Sequence, residues 1–148
     1  MGESQKDNDL FFVCSLIEYI SRKTKNTKKY IVEKLGKEAI KKIYDLAEVY
    51  HCENMEKVSE ELIQKYNIPN GTYDILTECK YKTPTIWELG RIYQRLIIMV
   101  NNNEEEYIDT LLEVLSSWII EKIDNYNSSM YYENPIYIYE CYKQNKII

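Results

Sequence analysis

The residues with the widest chemical repertoire in this chain are one histidine and four cysteines. His51 directly precedes Cys52, and a nucleophilic thiol needs a nearby base. Neighbouring residues of a helix point about 100° apart, however, so this pair is poorly arranged to act as nucleophile and base. Zinc would need two more ligands, and the other cysteines, Cys14, Cys79 and Cys141, show no C-x-x-C spacing. The sequence therefore predicts no catalytic residue, no metal site and no cofactor.

Other patterns that carry chemistry are missing as well. The four isolated glycines form neither G-x-G-x-x-G nor G-x-x-x-x-G-K, and neither G-x-S-x-G nor H-E-x-x-H occurs. Three consecutive glutamates, Glu104 to Glu106, offer paired carboxylates, but such a run is typical of the solvated start of a helix, where negative charge is favourable. We predict a protein that is not an enzyme.

Positive charge is concentrated in one window, from Arg22 to Lys42. It holds nine basic and two acidic residues, so its local charge is +7, while the whole chain is −5 and the rest sums to −12. The candidate basic face consists of Arg22, Lys23, Lys25, Lys28 and Lys29. Three interpretations stay open: a solvated lysine face, a surface for an acidic protein, or a contact with nucleic-acid phosphates.

Tyrosine is abundant, with fifteen in the chain and six between residues 126 and 142. The stretch from Met130 to Lys143 alternates like a strand, but no second strand is evident to pair with it. A short helix with Asn134 as N-cap and Pro135 in its first turn explains it better. That helix would turn Ile136, Tyr139 and Tyr142 inward. The residues expected to stay exposed and to bind a partner are Tyr131, Tyr132, Tyr137 and Ile138.

The elements that must position these residues are helices. Apolar residues recur at three-and-four spacing along most of the chain, and glycine and proline are scarce. We predict an all-α fold: a compact bundle of six or seven helices with a C-terminal helical hairpin and a short closing helix. The first helix is expected to be capped by Asn8 or Asp9. The second is expected to begin at Thr27 and to end at Gly36 in a left-handed conformation. The third is expected to run from Lys37 to Tyr50, and the fourth to start at Asn54.

The second half of the chain begins after the turn NIPNG, in which Gly71 is expected to take a positive φ. A short helix is predicted around Asp74 to Cys79. A capping box of Thr85 and Glu88 then starts a long helix, with Thr83 before Pro84 as the alternative cap. Gly90 within that helix indicates a close helix crossing. The three asparagines 101–103 end the helix, and the partner helix of the hairpin runs from Glu104 to about Asn125.

From these elements we predict a single domain, 1–148, composed of a four-helix unit at 8–67 and a helical hairpin plus tail at 72–148. There is no run of eighteen apolar residues, and the N-terminus is polar. We therefore expect a cytoplasmic protein without a membrane partner.

The segments FFVCSLIEYISRK, YIVEKLG and IYDLAEVYHCENMEKVSEELIQKY in the first half of the chain resemble a small helical domain of unknown function from low-GC bacteria. The similar features are Ile17 and Glu18 in the first helix, Tyr50 and His51 at the end of the third, and a helix that ends in Tyr66. Genes of that family often lie beside toxins related to ADP-ribosyltransferases. The resemblance thus implies an antitoxin-like role in bacteria, and no catalytic residues come with it.

The function predicted from the sequence is a non-catalytic protein-binding module, an antitoxin or immunity-type inhibitor that binds a partner toxin encoded nearby. A homo-oligomer is also compatible with the sequence. The alternative is a nucleic-acid-binding regulator that uses the basic face at 22–42.

Overall fold

The structure is a computed structural model, and it describes residues 4–102 and 106–148. Within these ranges the chain forms eight α-helices and one 3₁₀ turn, and none of the described residues is in a β-strand, so the predicted all-α fold is confirmed. The helices are α1 (Gln5–Thr24), α2 (Lys28–Asp45), α3 (Ala47–His51), α4 (Met55–Lys65), α5 (Ile86–Asn101), α6 (Tyr107–Leu115), α7 (Ile119–Asp124) and α8 (Pro135–Gln144), with the 3₁₀ turn at Met130–Tyr132.

Most helix starts are the predicted ones. Thr27 and Asn54 accept hydrogen bonds from the first-turn backbone amides of α2 and α4. In the capping box of α5, the Glu88 amide donates to Thr85 Oγ1 at 3.0 Å and the Thr85 amide donates to Glu88 Oε1 at 2.9 Å. Asn134 caps α8, which begins with a proline. Local side-chain chemistry therefore decides where these helices begin.

The start of α1 differs from the prediction. Ser4 is the N-cap, and its hydroxyl accepts from the Asp7 amide at 3.2 Å, so Asn8 and Asp9 lie inside the helix. The first turn carries no apolar residue that would have revealed it as helical, and Gln5 reinforces it by donating to Asp9 at 2.6 Å.

The helix break predicted at Gly36 is present as a kink within α2. Its φ of 81° is positive, as expected, although its ψ of 162° differs from that of a left-handed helix cap. Two predicted helices are interrupted, and the first of them, from Lys37 to Tyr50, is divided at Leu46 between α2 and α3. The helix from Glu104 to Asn125 is interrupted at Ser116 to Trp118, which separates α6 from α7. Glu104 and Glu105 lie outside the described residues, and Glu106 precedes α6. The segment from Asp74 to Cys79 forms turns and no helix.

The core is organised around α1, in which seven consecutive residues, 12–18, are buried. α1 packs most extensively on α5 and also contacts α2, α3 and α4. The predicted close crossing is confirmed, because a Cβ on Gly90 would overlap the side chain of Ser15. Both predicted units contribute to this core; their division at residues 67–72 stays a prediction.

A long irregular segment, residues 66–85, joins α4 to α5 and lies against the end of α1. The Gly71 amide donates to the Thr24 carbonyl at 2.7 Å, and the Tyr73 amide donates to the Lys25 carbonyl at 2.8 Å. Gly71 does not have the predicted positive φ, which occurs at Asn67 instead. Glycine is needed at position 71 because a Cβ would collide with the Lys25 carbonyl and with the adjacent side chain.

Candidate functional site

Four of the five cations of the predicted basic face form ion pairs within the protein. Lys23 pairs with Glu60, and Lys25 Nζ lies 3.6 Å from Asp74 Oδ2. Arg22 and Lys28 point into the protein, as described below. Lys29 is exposed, and it makes no ion pair with the part of the chain that the structure describes. The five cations therefore do not form one basic surface.

Lys28 is completely buried because the chain reverses tightly between α1 and α2. Lys25 adopts a left-handed conformation (φ 57°, ψ 49°) that ends α1. Ser21 Oγ then donates to the Asn26 carbonyl at 2.6 Å and holds the turn. As the first residue of α2, Lys28 is thereby directed back towards the carboxylate of Glu18 on α1.

We call Glu18, Arg22, Lys28 and Asp124 the buried ion cluster. Lys28 Nζ lies 2.8 Å from Glu18 Oε1 and 2.6 Å from Asp124 Oδ1, and Arg22 Nε donates to Glu18 Oε2 at 2.7 Å. The two carboxylates balance the two cations. Such a cluster is stable only when every charge is compensated, because the desolvation of each one is costly.

Three tyrosine hydroxyls complete the hydrogen bonding of this cluster. Tyr126 donates to Glu18 at 3.1 Å and accepts from Arg22 at 3.2 Å. Tyr73, on the irregular segment, donates to Asp124 at 2.9 Å. The hydroxyl of buried Tyr93 lies 3.3 Å from Glu18 and 3.4 Å from Asp124. The cluster therefore joins α1, α2, α5, α7 and the segment before α5.

Burial alone would raise the pKa of Glu18, but the charges of Lys28 and Arg22 outweigh it and hold that pKa below its usual value. For Asp124, burial and the charge of Glu18 prevail over Lys28, and the pKa is raised. Burial opposes the charge of Lys28, yet the two carboxylates raise its pKa. Lys28 is thus held as a charged hydrogen-bond donor, a state in which an amine is not a nucleophile.

His51 lines a cavity of about 450 Å³, together with Phe12, Glu48 and Arg91. The rings of His51 and Phe12 are 6.1 Å apart. Cys52 is exposed and its thiol lies 3.4 Å from the Glu48 carbonyl. In residues 4–102 and 106–148, no three histidine, cysteine, aspartate or glutamate side chains are grouped to hold a metal ion.

The C-terminal residues predicted to bind a partner are divided by α8. Tyr132 is 68% exposed and Tyr131 and Tyr137 are half-buried, whereas Ile138 is only 2% exposed and Ile136 is 64% exposed. The predicted exposure of Ile138 is therefore wrong. The helix itself was predicted correctly, but its buried face is formed by Ile138 and Cys141. Because cysteine is usually buried, Cys141 was the residue that could have indicated which face of the helix points inward.

A groove of about 260 Å³ lies between α5 and the start of α8. Its α5 side is formed by Ile92, Arg95 and Leu96, and its other side includes Tyr131, Tyr132 and Ile138. We call it the C-terminal groove. It contains three of the four residues predicted to bind a partner, and the fourth, Tyr137, instead lines a separate cavity together with Met130 and Ile147.

Edge-to-face tyrosine pairs connect the groove to the buried ion cluster. The ring of Tyr126 lies 5.5 Å from that of Tyr131, which lies 4.9 Å from that of Tyr132. Edge-to-face packing of this kind is favourable and fixes ring orientation. The groove wall is thereby anchored on the core of the protein.

Sequence reasoning missed the buried ion cluster as a unit. The sequence singles out Glu18 only through the family resemblance, and it places Arg22 and Lys28 in the predicted basic face. The signal that could have found it was a glutamate inside an otherwise apolar helix stripe. Lys28 and Asp124, which complete the cluster with Glu18, are 96 residues apart in the chain, and no local sequence pattern links them.

Comparison of this chain with protein-family models, curated proteins and solved structures finds no match. The resemblance to a family of antitoxin-like helical domains therefore stays a prediction. Among the described residues, no helix is long and apolar enough to cross a membrane.

Proposed function

We propose that this protein is a non-catalytic protein-binding module, of the antitoxin or immunity-inhibitor type, which contacts its partner through the C-terminal groove. The observation that carries the proposal is the groove with exposed apolar side chains beside it. Tyr132 and Ile136 are 68% and 64% exposed. Tyrosine and arginine are the residue types enriched in the energetic centres of protein interfaces.

The packing of both walls of the groove supports the same proposal. Its α5 wall belongs to the helix that packs most closely on the central α1, and its tyrosine wall is anchored through Tyr126. A preformed surface loses little conformational freedom on binding, which favours affinity. We further propose that the protein and its partner meet in the bacterial cytoplasm.

The basic face does not support nucleic-acid binding as a second candidate. Four of its five cations are engaged in ion pairs, two of them with the buried Glu18. Phosphate contacts require side chains that can reach the nucleic-acid backbone. Only Lys29 among these five is both exposed and without an ion pair to the described residues.

The proposal is tested by co-expressing the tagged chain with the product of the neighbouring gene. We expect a stable complex on size-exclusion chromatography and relief of any toxicity of that product in cells. A double variant, Tyr132→Ala with Ile136→Ser, should lose both effects, while Lys34→Gln on the remote helix α2 should retain both. Absence of a complex and of protection would overturn the proposal, and salt-dependent retardation of DNA would favour the alternative.

A further inference from the structure

The C-terminal groove has the size and lining of a pocket for one or two side chains. Its volume of about 260 Å³ is below the roughly 300–1,000 Å³ of small-molecule pockets. Its lining includes the apolar residues Ile92, Leu96 and Ile138, together with Tyr131 and Tyr132. These surfaces suit a large apolar side chain rather than a polar metabolite.

The lining of the groove includes an arginine that has no partner among the described residues. Arg95 is exposed, and it has no hydrogen bond or ion pair within residues 4–102 and 106–148. Arg22 is engaged in the buried ion cluster, and Arg91 donates to Gln94 and lies over the Phe11 ring at 4.0 Å. Arg95 is thus the arginine that is ready to bind a new carboxylate.

A glutamate also lines the groove, but it forms no ion pair with Arg95 among the described residues. This residue, Glu133, instead accepts a hydrogen bond at its Oε2 from the Ser129 hydroxyl, at 2.6 Å. A planar guanidinium binds a carboxylate through two parallel hydrogen bonds, which gives geometric selectivity as well as attraction. The groove therefore combines an apolar pocket with an adjacent carboxylate receptor.

We infer that the groove binds a segment of a partner protein in which a large apolar side chain lies next to an aspartate or glutamate. The apolar side chain enters between Ile92, Leu96 and Tyr131, and the carboxylate pairs with Arg95. This inference rests on the proposed function, because it names the chemistry of the partner that the same groove would recognise.

Selection of peptides on the intact chain tests the inference. A phage-displayed library of random peptides of about twelve residues is selected on immobilised wild-type protein, on Arg95→Glu and on the control Lys34→Gln. We expect wild type and the control to enrich peptides with a large apolar residue within two positions of Asp or Glu. Arg95→Glu should lose that enrichment and favour a basic residue at the same place.

One enriched peptide is then titrated into ¹⁵N-labelled protein. The amide shifts should be confined to residues 92–96 and 131–138, and replacing its acidic residue by the amide should weaken binding about five-fold. The inference is overturned by no enrichment, by the same motif on Arg95→Glu, by equal affinity of the amide peptide, or by shifts elsewhere. A concentration-dependent dimer that Arg95→Glu dissociates would also overturn it, since the occupant would be a second copy.

Failure of the inference and failure of the proposed function give different results. If the neighbouring gene product forms a complex that Arg95→Glu does not weaken, only the inference is wrong. If no such complex forms at all, the proposed function is wrong, whatever peptides are selected.

Discussion

The buried ion cluster and the C-terminal groove use the same kinds of residue for opposite purposes. In the cluster, Arg22 and Tyr126 satisfy one another and Glu18 with hydrogen bonds of 2.7 to 3.2 Å. In the groove, Arg95 and Tyr132 face solvent without such partners among the described residues. Residue type therefore does not distinguish the scaffold from the proposed contact surface in this chain. The distinction lies in whether the polar groups already have partners.

The largest effect that separates the two regions should come from Lys28→Met. This change leaves Glu18 and Asp124 buried with one cation fewer, and breaking a buried ionic network in this way costs about 3–5 kcal/mol of unfolding free energy. Lys29→Met, one position later and exposed, should change stability by less than about 0.5 kcal/mol. Urea denaturation measures both, and equal values for the two variants would contradict the scaffold role of the cluster.

A matched pair of tyrosine variants sharpens the comparison. Tyr126→Phe removes a buried hydroxyl that contacts both Glu18 and Arg22, and should cost about 1.5–3 kcal/mol, since hydrogen bonds to charged groups are stronger than neutral ones. Tyr132→Phe removes an exposed hydroxyl and should cost less than about 0.5 kcal/mol. The midpoints of thermal and urea unfolding give the difference. If Tyr126→Phe is as stable as the wild-type protein, the cluster does not need this hydroxyl.

Acidification should weaken the cluster through Glu18. The folded state holds the pKa of Glu18 below its ordinary value of 4.5, so its contribution to stability is complete above pH 4.5 and is lost as the pH falls through the folded value. Asp124 acts with the opposite sign. Its folded pKa is raised above 3.8, so proton uptake by the folded state partly offsets the loss.

Two variants separate these contributions. Glu18→Gln should be less stable throughout but should lose less stability than wild type between pH 6 and pH 3. Asp124→Asn should lose more than wild type over the same interval, because the offsetting proton uptake is removed. Urea unfolding at successive pH values measures both slopes, with Glu61→Gln on the exposed side of α4 as control. Parallel curves for all four proteins would refute the assigned roles.

The sequence predicts the helices well because their signals are local. Thr27, Asn54, the Thr85–Glu88 pair and Asn134 each sit beside the apolar stripe of the helix they cap. The breaks at Leu46 and Ser116 were not predicted, because the apolar period continues through both positions and tertiary packing decides where the helix is interrupted.

The candidate site is predicted less completely for the same physical reason. Tyrosines in excess of what a short tail can bury indicate a surface, and Tyr131 and Tyr132 do line the C-terminal groove. The orientation of α8 depends on which of its sides meets α5, and the sequence does not show this. The prediction therefore turned Ile136 inward and exposed Ile138, whereas the structure exposes Ile136 and buries Ile138. Arg95 was not singled out, since only the fold shows that it borders an apolar groove.

Loss of the Tyr132 side chain should have a small effect on stability and the largest effect on binding. Once a complex with the neighbouring gene product is purified, its affinity is measured by isothermal titration calorimetry for wild type, Tyr132→Ala and Lys34→Gln. We expect Tyr132→Ala to weaken binding at least about ten-fold, as loss of an interface anchor does, while the affinity of Lys34→Gln stays at the wild-type value. The unfolding free energy of Tyr132→Ala should fall by no more than about 1.5 kcal/mol, the contribution of the edge-to-face contact with Tyr131. Equal affinities of Tyr132→Ala and wild type would contradict the assignment of this groove as the contact surface.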